Sequence, residues 1–125
     1  MARYYRAWGT LRYSDSGWVV LDCPHSIVRY YNWWVRTLTG TKASPPKFGS
    51  HITVVAGRYE SPKDVEILKR FIGKRVRFVY DSVLLTDGCY FWLLVHCPLL
   101  HKIRRQLGLK EYLKWPLHLT VANLQ

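Results

Sequence analysis

The chain is short of acidic residues, of cysteine and of long apolar runs. Its 125 residues include 8 Asp and Glu against 19 Lys and Arg, which gives a formal net charge of +11. The 3 cysteines fit neither a CxxC metal site nor a disulfide framework, so we expect free thiols in a reducing compartment. The longest apolar runs, such as 91–95, are far shorter than the roughly 20 residues of a membrane span, and residues 1–6 contain no apolar signal region. We therefore expect a soluble cytoplasmic protein with no membrane partner.

What the chain has in excess is positive charge together with aromatic rings. Aromatic residues make up 15% of the sequence, including 6 Trp and 9 Tyr. Clustered positive charge attracts phosphates, and flat rings offer faces on which bases stack. The composition favours a nucleotide or nucleic-acid partner, although a solvated basic surface over an aromatic-rich core would have the same composition. The length fits one domain over 1–125, since cores divide only at roughly 250 residues.

Alternation and helical spacing predict an α+β fold. Strands are expected at 2–13, 18–21, 51–55, 75–80, 90–96 and 117–122, with 83–86 either continuing or pairing with its neighbour. Helices are expected at 24–40, 61–73 and 98–108, each with proline near its start and glycine at its end. In the first helix the predicted apolar face is Ile27, Tyr31, Trp34, Val35 and Leu38. Turns are expected at 14–17 and at Asp87-Gly88.

Two short motifs repeat, each after a helix and a proline-containing loop: HITVV at 51–55 and HLTVA at 118–122. Because side chains alternate along a strand, the His and Thr of each motif share one face and the apolar residues turn to the core. For a pattern fixed in advance, two such matched motifs arise by chance in fewer than about one in a hundred chains of this composition. If the two strands lie side by side near a pseudo-twofold axis, four polar groups converge on one groove.

Two imidazoles and two hydroxyls in one groove are equipped to cleave a phosphodiester without a metal ion. Imidazole changes charge near neutral pH, so one ring can act as base while the other acts as acid. The hydroxyls can hydrogen-bond to the nonbridging phosphate oxygens. A pair of ordinary strand histidines is the plain alternative, and a zinc site is a weaker one because no HxxxH, HExxH or cysteine pair accompanies them. The remaining histidines have no hydroxyl two residues later and are interpreted as ordinary: His25, His96 and His101.

At these residues the sequence resembles the two-histidine (2H) phosphoesterase superfamily, whose members carry two His-x-Ser/Thr-x motifs with apolar residues at x. The resemblance implies a bilobal α+β fold, with two antiparallel-sheet lobes and flanking helices around a central groove. The lobes would cover roughly 1–58 and 59–125, with possible strand exchange between them. The resemblance also implies an acid-base pair, His51 and His118, two phosphate-binding hydroxyls, Thr53 and Thr120, and no metal or other cofactor.

More narrowly, segments 48–55, 90–93, 103–109 and 117–123 are similar to the phage nucleases that degrade the cyclic di- and trinucleotide messengers of CBASS antiviral signalling. This similarity implies a phosphodiesterase that cleaves 3′-5′ linkages of a cyclic oligonucleotide in the host cytoplasm, with no obligate protein partner. Trp8 and Trp115 are the first candidates for stacking on bases, and Arg12 and Lys47 are the first candidates for neutralising phosphates. Weaker candidates of both kinds are Tyr5, Trp33, Trp34, Arg75, Arg77 and Trp92.

Two other functions use the same features. An RNA 2′,3′-cyclic phosphodiesterase or RNA-end processing enzyme needs the same four motif residues and differs only in how the groove is closed. A non-catalytic basic module that binds RNA or nucleotides would explain the charge and the rings, and its affinity would fall with salt without product formation. The sequence does not separate the two enzymatic readings.

Overall fold

The computed structural model describes residues 3–14, 16–47, 49–57 and 59–124. Within these residues the strands are β1 (Tyr4–Tyr13), β2 (Val19–Asp22), β3 (His51–Val55), β4 (Arg75–Asp81), β5 (Leu85–Thr86), β6 (Tyr90–His96) and β7 (His118–Asn123). The helices are α1 (His25–Thr39), α2 (Pro98–Gln106) and a short 3₁₀ helix at Val65–Arg70. No described helix is long and apolar enough to cross a membrane.

The strands form one antiparallel sheet in the order β4-β1-β2-β3-β7-β6-β5, and β4 also pairs with β6. Two blocks of this sheet are extensively paired, β4-β1-β2-β3 and β7-β6, and the two-residue strand β5 pairs with the edge of β6. The joints between the blocks are narrow. At one joint Ile52 pairs with Leu119, and at the other Val79 and Tyr80 pair with residues 96 and 95. The six longer strands therefore close into a ring, with β5 attached to β6.

The sequence predicts two lobes with a sheet in each, and the structure joins the strands into a single closed sheet. Strand β4, from the predicted second lobe, pairs along its length with β1 of the first. Strand β7 likewise crosses the predicted boundary to pair with β3. Pairing therefore links strands from both halves of the chain, and the division into two lobes and the assignment of this ring to the bilobal two-histidine fold stay predictions.

The hydrophobic core follows from strand alternation. Alternate strand residues such as Leu11, Leu21 and Leu93 are almost completely buried, and the two helices add their own buried faces to the same cluster. The one buried polar residue of α1 is Asn32, whose side-chain amide donates to three backbone carbonyls, including that of Val121 in β7 at 3.1 Å. These hydrogen bonds fix α1 to β7 and to the loop before β3.

Two expectations about the helices are wrong. The helix predicted at 61–73 is reduced to the 3₁₀ helix Val65–Arg70, in which only Leu68 is buried, so it lacks the continuous buried stripe that stabilises an α-helix. In α1 the expected core residues Trp34 and Leu38 are 37% and 70% exposed. The buried stripe of α1 instead consists of Val28, Tyr31, Asn32 and Val35.

The predicted turns fall at their expected places as far as they are described. Gly17, with φ of 84°, donates its amide to the carbonyl of Ser14 at 3.0 Å, and residue 15 of this turn lies outside the described residues. Gly88, with φ of 99°, lies between β5 and β6. Positive φ values of this kind explain why glycine occupies both turns.

Candidate functional site

The two His-x-Thr motifs lie on neighbouring strands, β3 and β7. Their middle residues, Ile52 and Leu119, are opposite each other and completely buried. Side chains alternate along each strand, so the flanking residues turn to the other face, where all four are half-buried: His51, Thr53, His118 and Thr120. Continuing the antiparallel register by one residue in each direction puts each histidine opposite the threonine of the other motif.

Both imidazoles are fixed in the same way. Nδ1 of His51 lies 3.1 Å from the carbonyl oxygen of Gly49, and Nδ1 of His118 lies 2.8 Å from that of Pro116. A carbonyl oxygen only accepts hydrogen bonds, so Nδ1 must carry the hydrogen in both rings. In the neutral ring Nε2 is then the unprotonated nitrogen. The two motifs therefore present the same nitrogen, in the same tautomer, on the same face.

The neighbours of the two imidazoles differ. His51 lies opposite Asp22 of β2, whose carboxylate accepts from Nε and Nη2 of Arg12 at 2.7 and 3.3 Å. That ion pair raises the pKa of Arg12, mainly through the hydrogen bond to Asp22. His118 instead has the ring of Trp92 edge-on at 6.3 Å between centroids, and Leu94 opposite it on β6. Arg12, a predicted phosphate ligand, is thus bound to Asp22 in this structure.

A groove of about 1190 Å³ opens on the His118 side of the motifs. Thr53 and His118 lie in its wall, together with the predicted stacking residue Trp115, whereas His51 and Thr120 are not among the described residues that line it. Lys114 lies over the ring of Trp115, with Nζ 5.7 Å from the centroid. Three further rings and a second lysine line the groove: Trp18, Tyr59, Tyr112 and Lys110. None of them occurs in a motif, so only their position in the fold reveals them.

The other two predicted substrate ligands lie elsewhere. Trp8 is on β1, opposite Arg77 of β4, and its ring lies under the guanidinium of Arg75 at 4.8 Å. Lys47 is exposed on the loop before β3. Neither Trp8 nor Lys47 is among the described residues that line the groove.

A buried ion pair stabilises one wall of the groove. The side chain of Arg104, on α2, has no exposed surface and pairs with both carboxylate oxygens of Glu60. The same guanidinium donates to the carbonyls of Val54, at 2.8 Å, and of Lys110, at 2.9 Å. The hydrogen bond from Arg104 holds the pKa of Glu60 below its ordinary value. The sequence does indicate that residue 104 is buried, because it lies one turn after Leu100 on the apolar face of α2.

Across the described residues there is no group of three or more His, Cys, Asp or Glu that could hold a metal ion. All three cysteines are free thiols, with Cys23 and Cys97 buried and Cys89 exposed. Burial raises the pKa of the Cys23 thiol to about 12.

Comparison with known proteins gives only a partial likeness. No protein-family model matches the chain, and no solved structure matches it. MBT domain-containing protein 1 of Homo sapiens is 33% identical over 99 residues, which cover 64% of this chain and 15% of that protein. The Mus musculus protein of the same name is 33% identical over 93 residues, which cover 60% of this chain and 14% of that protein. The chain thus spans about 15% of the length of these relatives, and its membership of the two-histidine superfamily stays a prediction.

Proposed function

We propose that this protein is a metal-independent phosphodiesterase of the two-histidine class, which cleaves the 3′-5′ linkages of cyclic oligonucleotide messengers. The observation that carries the proposal is the identical anchoring of His51 and His118 through Nδ1, which leaves both Nε2 atoms on the face that carries two threonine hydroxyls. In both motifs the acceptor is the carbonyl two residues before the histidine, so the repeat in the sequence is matched by a repeat in the geometry. The proposed setting is the cytoplasm of a bacterium infected by a phage.

The proposed reaction needs one proton taken up and one delivered. The neighbouring 2′-hydroxyl attacks phosphorus and gives its proton to Nε2 of the neutral imidazole. The new bond joins phosphorus to O2′, the bond to O5′ breaks, and the second imidazole, initially protonated, gives its proton to O5′. Thr53 and Thr120 would donate hydrogen bonds to the nonbridging oxygens, where charge accumulates in the transition state. The product is a linear chain ending in a 2′,3′-cyclic phosphate; if water attacks instead, the end is an open phosphate.

The groove beside His118 supports a substrate that carries both bases and phosphates. Its volume of about 1190 Å³ exceeds the roughly 300–1,000 Å³ of sites for small drug-sized ligands. Its wall carries aromatic rings, which stack on bases, and two lysines, Lys110 and Lys114, which attract phosphates. A cyclic di- or trinucleotide has both features in a compact form, and the proposal needs no protein partner.

The test is a substrate panel incubated with the purified protein in EDTA. The panel contains 3′,3′- and 2′,3′-linked cyclic dinucleotides, a cyclic trinucleotide, a nucleoside 2′,3′-cyclic phosphate and a short RNA, with products identified by chromatography and mass. Cleavage of the cyclic oligonucleotides supports the proposal. Cleavage confined to the monocyclic phosphate or the RNA end would replace it with RNA processing, and binding without any cleavage would leave a nucleotide-binding module.

Matched histidine variants test the assignment of the residues. His51→Ala and His118→Ala should each abolish turnover while substrate binding is largely retained, because each removes one of the two proton transfers. His96→Ala is the control, since His96 is exposed on β6 and contacts the ring of Tyr4. Undiminished turnover in either of the first two variants would refute the acid-base pair.

A further inference from the structure

A second group of basic and aromatic side chains lies on the sheet away from the groove. We name it the β1–β4 face and define it as Arg6, Trp8, Arg75 and Arg77. Trp8 and Arg77 are directly opposite each other, and Arg75 stacks on the indole at 4.8 Å. All four are exposed, Trp8 by 49%, while the residues that alternate with them, such as Val76 and Phe78, are buried.

The β1–β4 face carries the positive charge of three arginines, Arg6, Arg75 and Arg77. Among the described residues, none of its three arginines takes part in an ion pair. By contrast, Arg12 on the same strand β1 is paired with Asp22. Three unpaired guanidinium groups around an indole repel one another, and an anion bound between them would relieve that repulsion. The indole adds a requirement for a flat ring, so phosphates alone do not fully match this surface.

The β1–β4 face lies on the same side of the sheet as His51 of the candidate active site. On neighbouring strands Arg75 lies opposite Thr10, and Thr10 lies opposite Asp22. Asp22 in turn lies opposite His51. These residues therefore point to the same side of the sheet. With strands about 4.8 Å apart, Arg75 is about 14 Å from His51 along the sheet. An extended strand of several nucleotides bound at His51 would reach this surface.

From this juxtaposition we propose that the β1–β4 face binds single-stranded nucleic acid, with an unpaired base stacked on Trp8 and backbone phosphates on the arginines. An unpaired base is needed because a base inside a duplex has no free face for the indole. The inference goes beyond the proposed phosphodiesterase activity and does not depend on it, since binding at this face requires no proton transfer.

The test is equilibrium binding of a fluorescent 2′-O-methyl RNA of about 12 nucleotides, long enough to cover a typical single-strand site. The methyl group blocks attack by O2′. Fluorescence anisotropy is measured over a series of salt concentrations.

Trp8→Ala should weaken binding about 5- to 150-fold, because stacking one base contributes about 1–3 kcal/mol. Replacing both Arg75 and Arg77 with Gln should reduce the slope of log affinity against log salt by about 1.4, since each phosphate contact contributes about 0.7 for a single strand.

Matched variants separate a local effect from loss of charge or of fold. Helix α1 offers the same chemistry elsewhere, with Trp33 exposed by 55% and two exposed arginines, Arg29 and Arg36. A variant with Trp33 replaced by Ala and both arginines replaced by Gln should keep the affinity and the salt slope near the wild-type values. Arg77→Lys should keep the salt slope, which shows that the site is still folded and charged.

Three outcomes would overturn the inference: wild-type affinity in the β1–β4 variants, an equal loss in the α1 variant, or equal affinity for the corresponding duplex. The cleavage panel is read separately. A protein that binds the strand through Trp8 but cleaves nothing retains this inference and loses the proposed function. A protein that cleaves cyclic messengers but binds the strand equally well without Trp8 retains the function and loses this inference.

Discussion

Two backbone carbonyls determine what the paired imidazoles can do. Each carbonyl belongs to the residue two positions before its histidine, Gly49 or Pro116, and accepts a hydrogen bond from Nδ1. The loop therefore orients the ring before any ligand arrives. Such preorganisation means that the site does not have to reorder its side chains when charge develops on the substrate.

This anchoring predicts the neutral tautomer of both rings. We expect His51 and His118 to carry the hydrogen on Nδ1, and ¹⁵N chemical shifts of the imidazole nitrogens at high pH measure this directly. A histidine model peptide under the same conditions is the reference, and His51→Ala and His118→Ala assign the signals. An Nε2-protonated signal from either residue would contradict the geometry, whether or not the protein has enzymatic activity.

At the scale of the elements, the pair of Glu60 and Arg104 joins α2 to β3 and to the loop after α2. Because Arg104 lowers the pKa of Glu60 below 4.5, the carboxylate of the folded protein stays ionised at a pH where that of the unfolded chain is protonated. Its contribution to the free energy of unfolding is therefore fully present above pH 4.5 and is lost as the pH falls through the lower folded-state value.

We expect Glu60→Gln to lower the free energy of unfolding at pH 7, and the difference from wild type to shrink as the pH falls below 4.5. Urea unfolding at several pH values measures this. Glu66→Gln is the control, because Glu66 pairs with Lys69 on the surface, where both side chains are more than 70% exposed and such a pair contributes little. A pH-independent difference for Glu60→Gln would mean that the carboxylate charge is not what stabilises the fold.

Strand β1 can lie close to β2 because residue 9 is glycine. A Cβ atom at this position would be 2.6 Å from Cγ of Leu21 and 2.7 Å from the backbone oxygen of Asp22. Backbone cannot yield as a flexible side chain does, so Gly9→Ala should destabilise the protein by about 1–3 kcal/mol, the usual cost of overpacking. Thermal and urea unfolding measure it, with exposed Thr10→Ala as the control on the same strand. Equal stability of the two variants would contradict this close packing.

The strands were largely predictable from the sequence, but their closure was not. Period-two alternation is a local property, and it located β3 and β7 and put the His and Thr of each motif on one face. The pairings of β4 with both β1 and β6 join distant parts of the chain and leave no local pattern. The groove residues Tyr59 and Tyr112 are likewise far apart in the sequence and line the same groove only in the folded chain.

Charge acts at the scale of the whole molecule, and the net value of +11 raises the concentration of anions around it. At about 0.15 M salt the screening length is about 8 Å, so only charges close to a bound phosphate should affect its affinity.

For the proposed activity, we expect kcat/KM to fall as the salt concentration rises. The fall should be steeper for a cyclic trinucleotide than for a nucleoside 2′,3′-cyclic phosphate, because the larger substrate makes more phosphate contacts. Rates over a salt series measure the slope. Lys110→Gln should reduce it for the trinucleotide, whereas Arg36→Gln on α1 should not. Equal reductions in both variants would mean that the overall field, rather than the groove lysine, attracts the substrate.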